Sequence, residues 1–453
     1  MRPNRDGIFV AVLILALVAS TSVAIIAATG ASLHTTVTIQ GGGDLTNSGS
    51  GTPSGGGGGS GSPGGSAGGG GVIGGSGSQT QGVSGSTIKI GGIFTESNGL
   101  DSRVEEDTVR ACFNRVNAQG GVNGRKLQLV SYDDGLSANT AYQEAARLDQ
   151  QDHVFAIVGW LAPFGEASAA PYFEQHGIPI IGGLGVPQEF GNPYSFPVSP
   201  IFQTDGVALG AYATDPAGPL KLKHPGVILV QTAGINTVAD GIVQGAKRNG
   251  VTISSNSIDY VPFAAPSFDN DLLKFRSQGA DGLITQLDPF SYVRLYSSMK
   301  STGGIMKHLA GAGLDKQSVD AAINQSGSTD LVNSYSFMPY LEAQGNPDGD
   351  PEVALYNRTV AQYYPSQVAN MDAFSEGSWI ACRVFVQALQ SVGQNVTRGA
   401  LIQALNSQTF QFGNMVEPLN YGKAGSSHAA NHCAVYIAYT SSHTWRTAAK
   451  RCY

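Results

Sequence analysis

From Thr87 onward the apolar positions follow two alternating spacings. Short stretches are apolar at every second residue or throughout; longer ones are apolar at every third or fourth. Thr87–Phe94 spaces Ile88, Ile90 and Ile93 as a strand does. Ser102-Arg103-Val104-Glu105 has the spacing of a capping box and predicts a helix running to about residue 117. Gly120-Gly121 supplies the positive φ that ends it. Residues 126–132 read as a second strand and 139–150 as a helix. Residues 154–158 are apolar enough for a strand covered on both faces, followed by a helix over 167–176 and a strand over 178–181. A second series follows: strand 226–230, helix 237–248, extended chain 251–261, helix 268–278, strand 282–286 and helix 289–302.

Strand–helix alternation of this kind predicts the α/β class, with parallel sheets covered by helices. Residues 87–453 are more than one core usually spans, so two lobes are expected. Ligands of such sheets bind beyond the C-terminal ends of the strands. The loops at 94–99, 159–165, 182–187, 231–235, 286–290 and 310–314 are therefore where a site is sought.

The first 86 residues differ in kind. A polar start with Arg2 and Arg5 leads into an apolar run from Gly7 to about Ala31, then a Gly/Ser/Pro tract that ends near Ser86. The run is long enough for one membrane span. Ser22-Val23-Ala24 and Thr29-Gly30-Ala31 also fit the processing site of a cleaved signal peptide. Both readings predict an exported chain. No cysteine precedes Cys112, so no lipid-modified N-terminal cysteine is expected. The tract from Gly41 to Ser86 has too little to bury and predicts a flexible tether about 35–40 Å end to end.

Charge and cysteines narrow the picture further. Arg2, Arg5, Asp6 and Asp44 cancel, so residues 87–453 carry the whole net charge of −7. No basic stripe stands out, which argues against nucleic acid as the main partner. Four cysteines in an exported chain suggest disulfides. Cys433 and Cys452 flank two extended stretches about the turn-like Ser441-Ser442-His443, and a hairpin would set them opposite each other. Cys112 and Cys382 each lie on an apolar helix face; they read as a second bond or as two buried thiols.

Asn117-Ala118-Gln119-Gly120-Gly121-Val122-Asn123-Gly124-Arg125-Lys126-Leu127, followed by Tyr132-Asp133-Asp134, resembles the first helix–turn–strand unit of type I periplasmic binding proteins. The branched-chain amino-acid-binding branch of ABC transporters is the nearest in pattern. Ile88–Phe94 is similar to its first strand, Val158-Gly159 and Gly177-Ile178-Pro179-Ile180-Ile181 to its next units, and residues 278–284 to its second-lobe pattern. The resemblance runs from about Thr87 to Cys452.

It implies two Rossmann-like lobes joined by three hinge crossovers, near residues 200–203, 338–341 and 417–421. Residues 87–201 and 341–417 would form the first lobe, and 202–340 and 418–453 the second. Cys112 and Cys382 would then share the first lobe, and Cys433 and Cys452 the second, so that both bonds leave the hinge free. The implied function is that of a non-enzymatic solute-binding protein. It would be extracytoplasmic, monomeric and without a cofactor, and would deliver a small molecule to an ABC permease and its ATPase. A branched-chain amino-acid-binding protein, or a sensory ectodomain of the same fold, is the alternative.

The loops depart from the family in a way that bears on the ligand. Amino-acid-binding members tend to carry serine or threonine in the loop matching 160–165, and again near Gly185-Val186, to hold an α-carboxylate. Here these loops read Trp160-Leu161-Ala162-Pro163-Phe164-Gly165 and Gly182-Gly183-Leu184-Gly185-Val186-Pro187, with no hydroxyl, lysine or arginine. Burying a carboxylate with few donors is costly. The expected ligand is therefore uncharged or largely apolar rather than a free branched-chain amino acid. Trp160 and Phe164 are expected to grip it against Phe290, with Thr95, Glu96 and Asp288 as polar contacts and Gly185 and Thr232 in the adjoining loops. The alternative is that Trp160 and Phe164 are packing residues between lobes.

Other chemistry is weaker. His428 and His432 stand four apart beside Cys433, a metal-ligand spacing only on a helix, and the stretch leads into an expected strand. No metal is expected. Gly64-Gly65-Ser66-Ala67-Gly68 matches a hydrolase nucleophile pattern but lies in the tether. Asp133-Asp134 is expected to cap a turn.

Overall fold

The computed structural model describes residues 78–314, 334–344, 346, 348–440 and 445–453. The apolar run, the tract up to residue 77 and the turn at 441–443 lie outside the described residues. Among the described residues no helix is long and apolar enough to cross a membrane.

The expected tether ends earlier than Ser86. Gln79 accepts the Arg398 N–H through its backbone carbonyl, at 2.8 Å. The Gln81 side chain donates to Asp149 Oδ1, also at 2.8 Å. Val83 bridges Ile88, and the Lys89 N–H reaches Gly82 O at 2.9 Å. These nine residues are held because their backbone groups find partners on the first lobe, which a tally of glycine and serine does not register.

Five parallel strands build the first lobe: β1 (Thr87–Phe94), β2 (Lys126–Asp133), β3 (Ala156–Val158), β4 (Ile180–Ile181) and β5 (Ser195–Phe196), in the order β2-β1-β3-β4-β5. Helices α1 (Arg103–Ala118), α2 (Ala138–Gln150) and α3 (Glu166–Gln175) make the connections. The α1 helix starts where expected, but the capping box does not close. Ser102 leaves the extended region that a capping residue needs, its Oγ makes no hydrogen bond among the described residues, and Glu105 is buried near Asp372 instead. The Gly-Gly-Val-Asn-Gly-Arg turn has a steric origin. Gly121 has φ +80°, and a Cβ there would lie 2.0 Å from Arg125 O. Asn123 Nδ2 donates to Leu389 O and Gly393 O, tying the turn to a helix far along the chain.

The chain leaves the first lobe through α4 (Phe202–Thr214) and builds a second sheet. Its strands are β6 (Pro225–Val230), β7 (Ile258–Val261), β8 (Gly282–Gln286), β9 (Lys307–Ala310), β10 (Tyr335–Met338), β11 (Cys433–Tyr439) and β12 (Trp445–Cys452). They lie in the order β12-β11-β10-β9-β8-β6-β7. The pairs from β7 to β10 are parallel; β11 and β12 add an antiparallel hairpin in which Cys433 faces Cys452. Helices α5 (Ile235–Arg248), α6 (Asp269–Ser277) and α7 (Pro289–Ser301) connect the parallel strands. Between β10 and β11 the chain returns to the first lobe as α8 (Pro351–Tyr363), α9 (Ala373–Val392) and α10 (Arg398–Ser407). Cys112 on α1 is bonded to Cys382 on α9, and Cys433 to Cys452.

The chain passes from one sheet to the other at 198–202 and back at 337–340. The third crossover comes later than 417–421. Leu419 bridges Phe410, Tyr421 stands edge-on to Phe196 at 5.2 Å, and His428 stacks on Phe196 at 4.5 Å. All three contacts bind residues 418–429 to the first lobe, so the chain crosses only at 430–433. There Asn431 Nδ2 donates to Val198 O at 3.0 Å and Pro339 O at 3.3 Å, one carbonyl from each of the other crossovers.

Candidate ligand-binding site

A cleft runs between the lobes with the first two crossovers as its floor. From the first lobe it is lined by Gly159–Leu161, Gly183-Leu184 and the first turn of α9, including Phe374 and Ser378. The second lobe contributes Phe202 and Asp205 of α4, Gln286, Ala312 and Phe337. Val198–Pro200, Pro339 and Tyr340 close the bottom, where Ser199 Oγ and the Tyr340 hydroxyl lie 2.7 Å apart. The cavity is ≈ 50 Å³, above the roughly 10–15 Å³ that a single water needs.

Of the expected grip, only Trp160 lines this cleft. The indole is 2% exposed and stands edge-on to Phe173 at 5.7 Å, so most of it is lobe core. Its Nε1 makes no hydrogen bond among the described residues. Phe164 lies outside the cleft, 5.8 Å from Phe263 of the other lobe, beside a groove that also takes in Thr232 and Tyr260. Phe290 is 44% exposed, 6.3 Å from Phe263, and faces a separate opening with Leu100 and Gln367. The three aromatics do not converge: Phe164 and Phe290 meet a shared aromatic neighbour at the edge instead.

The expected polar contacts are spent within the protein. Thr95 is buried and its hydroxyl donates to Asp134 Oδ1 at 2.6 Å. Asp288 caps α7, accepting Ser291 N, Ser291 Oγ and Ala264 N. Glu96 sits beside Glu106 and Asp133, with Arg103 at 3.9 Å; burial and the Glu106 contact push its carboxyl up to about 8. Asp133 and Asp134 accept Gly135 N and Leu136 N, capping the turn after β2 as expected.

The loop at 182–187 shows why no hydroxyl is there. Two glutamates from the first lobe occupy its donors. Glu166 accepts Leu184 N at 2.8 Å and Ala162 N at 3.3 Å; Glu189 accepts Gly185 N at 3.0 Å. Gly183, at φ +93°, lets the loop pass: a Cβ there would be 2.7 Å from both Trp160 Nε1 and Glu189 Oε1. Burial raises Glu166 to about 8. Burial and the neighbouring Glu166 also hold the Glu189 carboxyl well above the usual carboxylate range. Both carboxyls are thus shifted toward their protonated forms, and the loop N–H groups at 184 and 185 are not free for a ligand anion.

Asp205, Gln286, Phe337, Tyr340, Phe374 and Ser378 were not singled out from sequence. Their common signal is nearness to the crossovers at 198–202 and 337–340, or to the α9 turn facing them. Among the described residues one cluster has metal-ligand types, His432 with Cys433 and Cys452. The two sulfurs are bonded to each other, so they offer no thiolates.

Residues 87–443 match the family model described as periplasmic binding protein, and the chain belongs to that family. A curated amino acid binding protein of Pseudomonas aeruginosa is 28% identical over 171 residues. That match covers 37% of this chain and 44% of the relative, less than half its length. Among solved structures, a fatty acid ABC transporter substrate-binding protein from Thermomonospora curvata superposes with a TM-score of 0.68 at 17% identity, over 82% of this chain and 93% of that one. A leucine binding protein from Thermotoga maritima does so with a TM-score of 0.65 at 16% identity, over 80% and 98%. The family's fold is a non-enzymatic solute-binding fold, and its location is extracytoplasmic.

Proposed function

We propose that the protein captures a small molecule with an apolar body in the inter-lobe cleft and delivers it to an ABC-type importer without chemically changing it. The N-terminal apolar run would attach or export it, and the Gly/Ser tract would let the head reach a permease. One observation carries the ligand reading: Glu166 and Glu189 hold the loop N–H groups that an α-carboxylate would need. Relatives of this fold are named for leucine and for fatty acid, both with aliphatic bodies.

The test is a thermal-shift screen of small molecules on the full chain, followed by titration calorimetry of the hits. Phe374 is half-buried and lines the cleft. Loss of an aromatic contact is worth roughly 1–2 kcal/mol, so Phe374→Ala should weaken binding about tenfold. Trp160→Ala is the poorer test, because the indole is core and its loss would cost about 3–5 kcal/mol of stability. Tight binding of free leucine, isoleucine or valine, unchanged by Phe374→Ala, would overturn this reading.

A further inference from the structure

Glu166 and Glu189 do not line the cleft, but only one thickness of backbone separates them from it. Gly183 and Leu184 form the wall, and the Leu184 N–H points back to Glu166 Oε2. Both glutamates are buried. Glu189 Oε1 and Trp160 Nε1 crowd Gly183, and neither atom has a hydrogen-bond partner among the described residues.

No cation offsets the pair. The acidic groups in their field are each other and Asp134, which faces α3 from the turn after β2. Glu174 lies about two turns further along α3. On α2, Arg147 is 3.5 Å from Glu144, and Asp149 is 2.7 Å from His176. On α9, Arg383 is 2.8 Å from Glu352, and Glu376 accepts Ala343 N. The one charged residue of α4 is Asp205, and Asp240, Lys247 and Arg248 of α5 are exposed.

The loop also bears on the hinge. The Phe202 N–H donates to Gly185 O at 3.3 Å, which ties the loop to the first crossover. Pro187 opens the short turn that carries Glu189, and it abuts Gly234 at the head of α5 in the second lobe. A Cβ on Gly234 would lie 2.3 Å from Pro187 Cδ. A buried carboxylate beside a second carboxyl, with no cation to meet, must draw in water or move away. Glu166 is fixed in α3, so the turn at 187–189 is the part that yields.

We propose that Glu166 and Glu189 form a proton-operated latch on the hinge. With both neutral, the loop stays seated against the first crossover and Gly234. Loss of a proton frees the turn and opens the cleft, whichever molecule the cleft takes.

The full chain, labelled with carbon-13 at its glutamate carboxyls, tests this by NMR. At about pH 6 the signals lost in Glu166→Gln and in Glu189→Gln should be those of protonated carboxyls. The Glu166 signal should titrate near 8. Tryptophan emission should shift over the same interval, because Trp160 Nε1 stands beside the pair. The radius of gyration from small-angle scattering should rise with it. Both changes should persist in Glu96→Gln and vanish in Glu166→Gln, with Glu189→Gln in its place if that variant fails to fold. Ionised carboxyls at about pH 6, or a constant emission or radius in wild type, would overturn the latch. So would changes that survive in the glutamine variant. Solute binding would stand in each case.

Discussion

Glu166 and Glu189 do inside the protein what a ligand carboxylate does elsewhere: they accept hydrogen bonds from a glycine-rich loop. The arrangement has a pH signature. Glu166 titrates near 8 in the folded chain and near the usual carboxylate value when unfolded. Between those values the native state holds a proton that the unfolded state has lost. Stability from this group is therefore complete below about pH 4.5 and falls as the pH rises to about 8. Glu166→Gln cannot lose that proton. Its melting temperature should fall less than that of wild type between pH 5 and 8. Glu96 also titrates near 8 and Glu189 is raised as well, so the slope should shrink without vanishing. Equal slopes in the two proteins would refute the assignment. Nothing in the sequence marked this pair, because neither glutamate stands in a motif. Asp205 was illegible for a similar reason: a single aspartate in a helix reads as solvated until the helix is seen to start at the hinge.

At the scale of elements, local patterns were the legible part. The strands from β1 to β4, the helices between them and the Cys433–Cys452 hairpin follow from spacing alone. The third crossover did not, since residues 408–430 have no clear period and are placed by contacts with Phe196, more than 200 residues away. The disulfides differ in the same respect. Cys433–Cys452 spans 19 residues and Cys112–Cys382 spans 270. On chain entropy the first is worth about 3 kcal/mol and the second roughly 5. Replacing Cys112 and Cys382 together with alanine should therefore lower the melting temperature more than replacing Cys433 and Cys452. Peptide mapping without reductant should find these two pairs; Cys433 joined to Cys112 or Cys382 would contradict both the hairpin and the lobe assignment.

For the whole molecule, two lobes on three crossovers predict a hinge motion, with neither disulfide crossing the gap. Phe164 and Phe263 meet from opposite lobes at the edge of the cleft, so opening must part them. Small-angle scattering should show the radius of gyration of the full chain fall when a ligand found by calorimetry is added. An unchanged radius would count against closure.

The amide of Asn431 laces one crossover to the other two. Asn431 does not itself line the cleft, although the two carbonyls it holds belong to residues of the cleft floor. Cleft side chains rank the competing molecules, while the lacing sets the fraction of time the closed form is available, a factor common to every molecule in the ranking. A lineage facing scarcer nutrients is therefore free to tighten capture by changing the hinge alone. Its diet would stay the same.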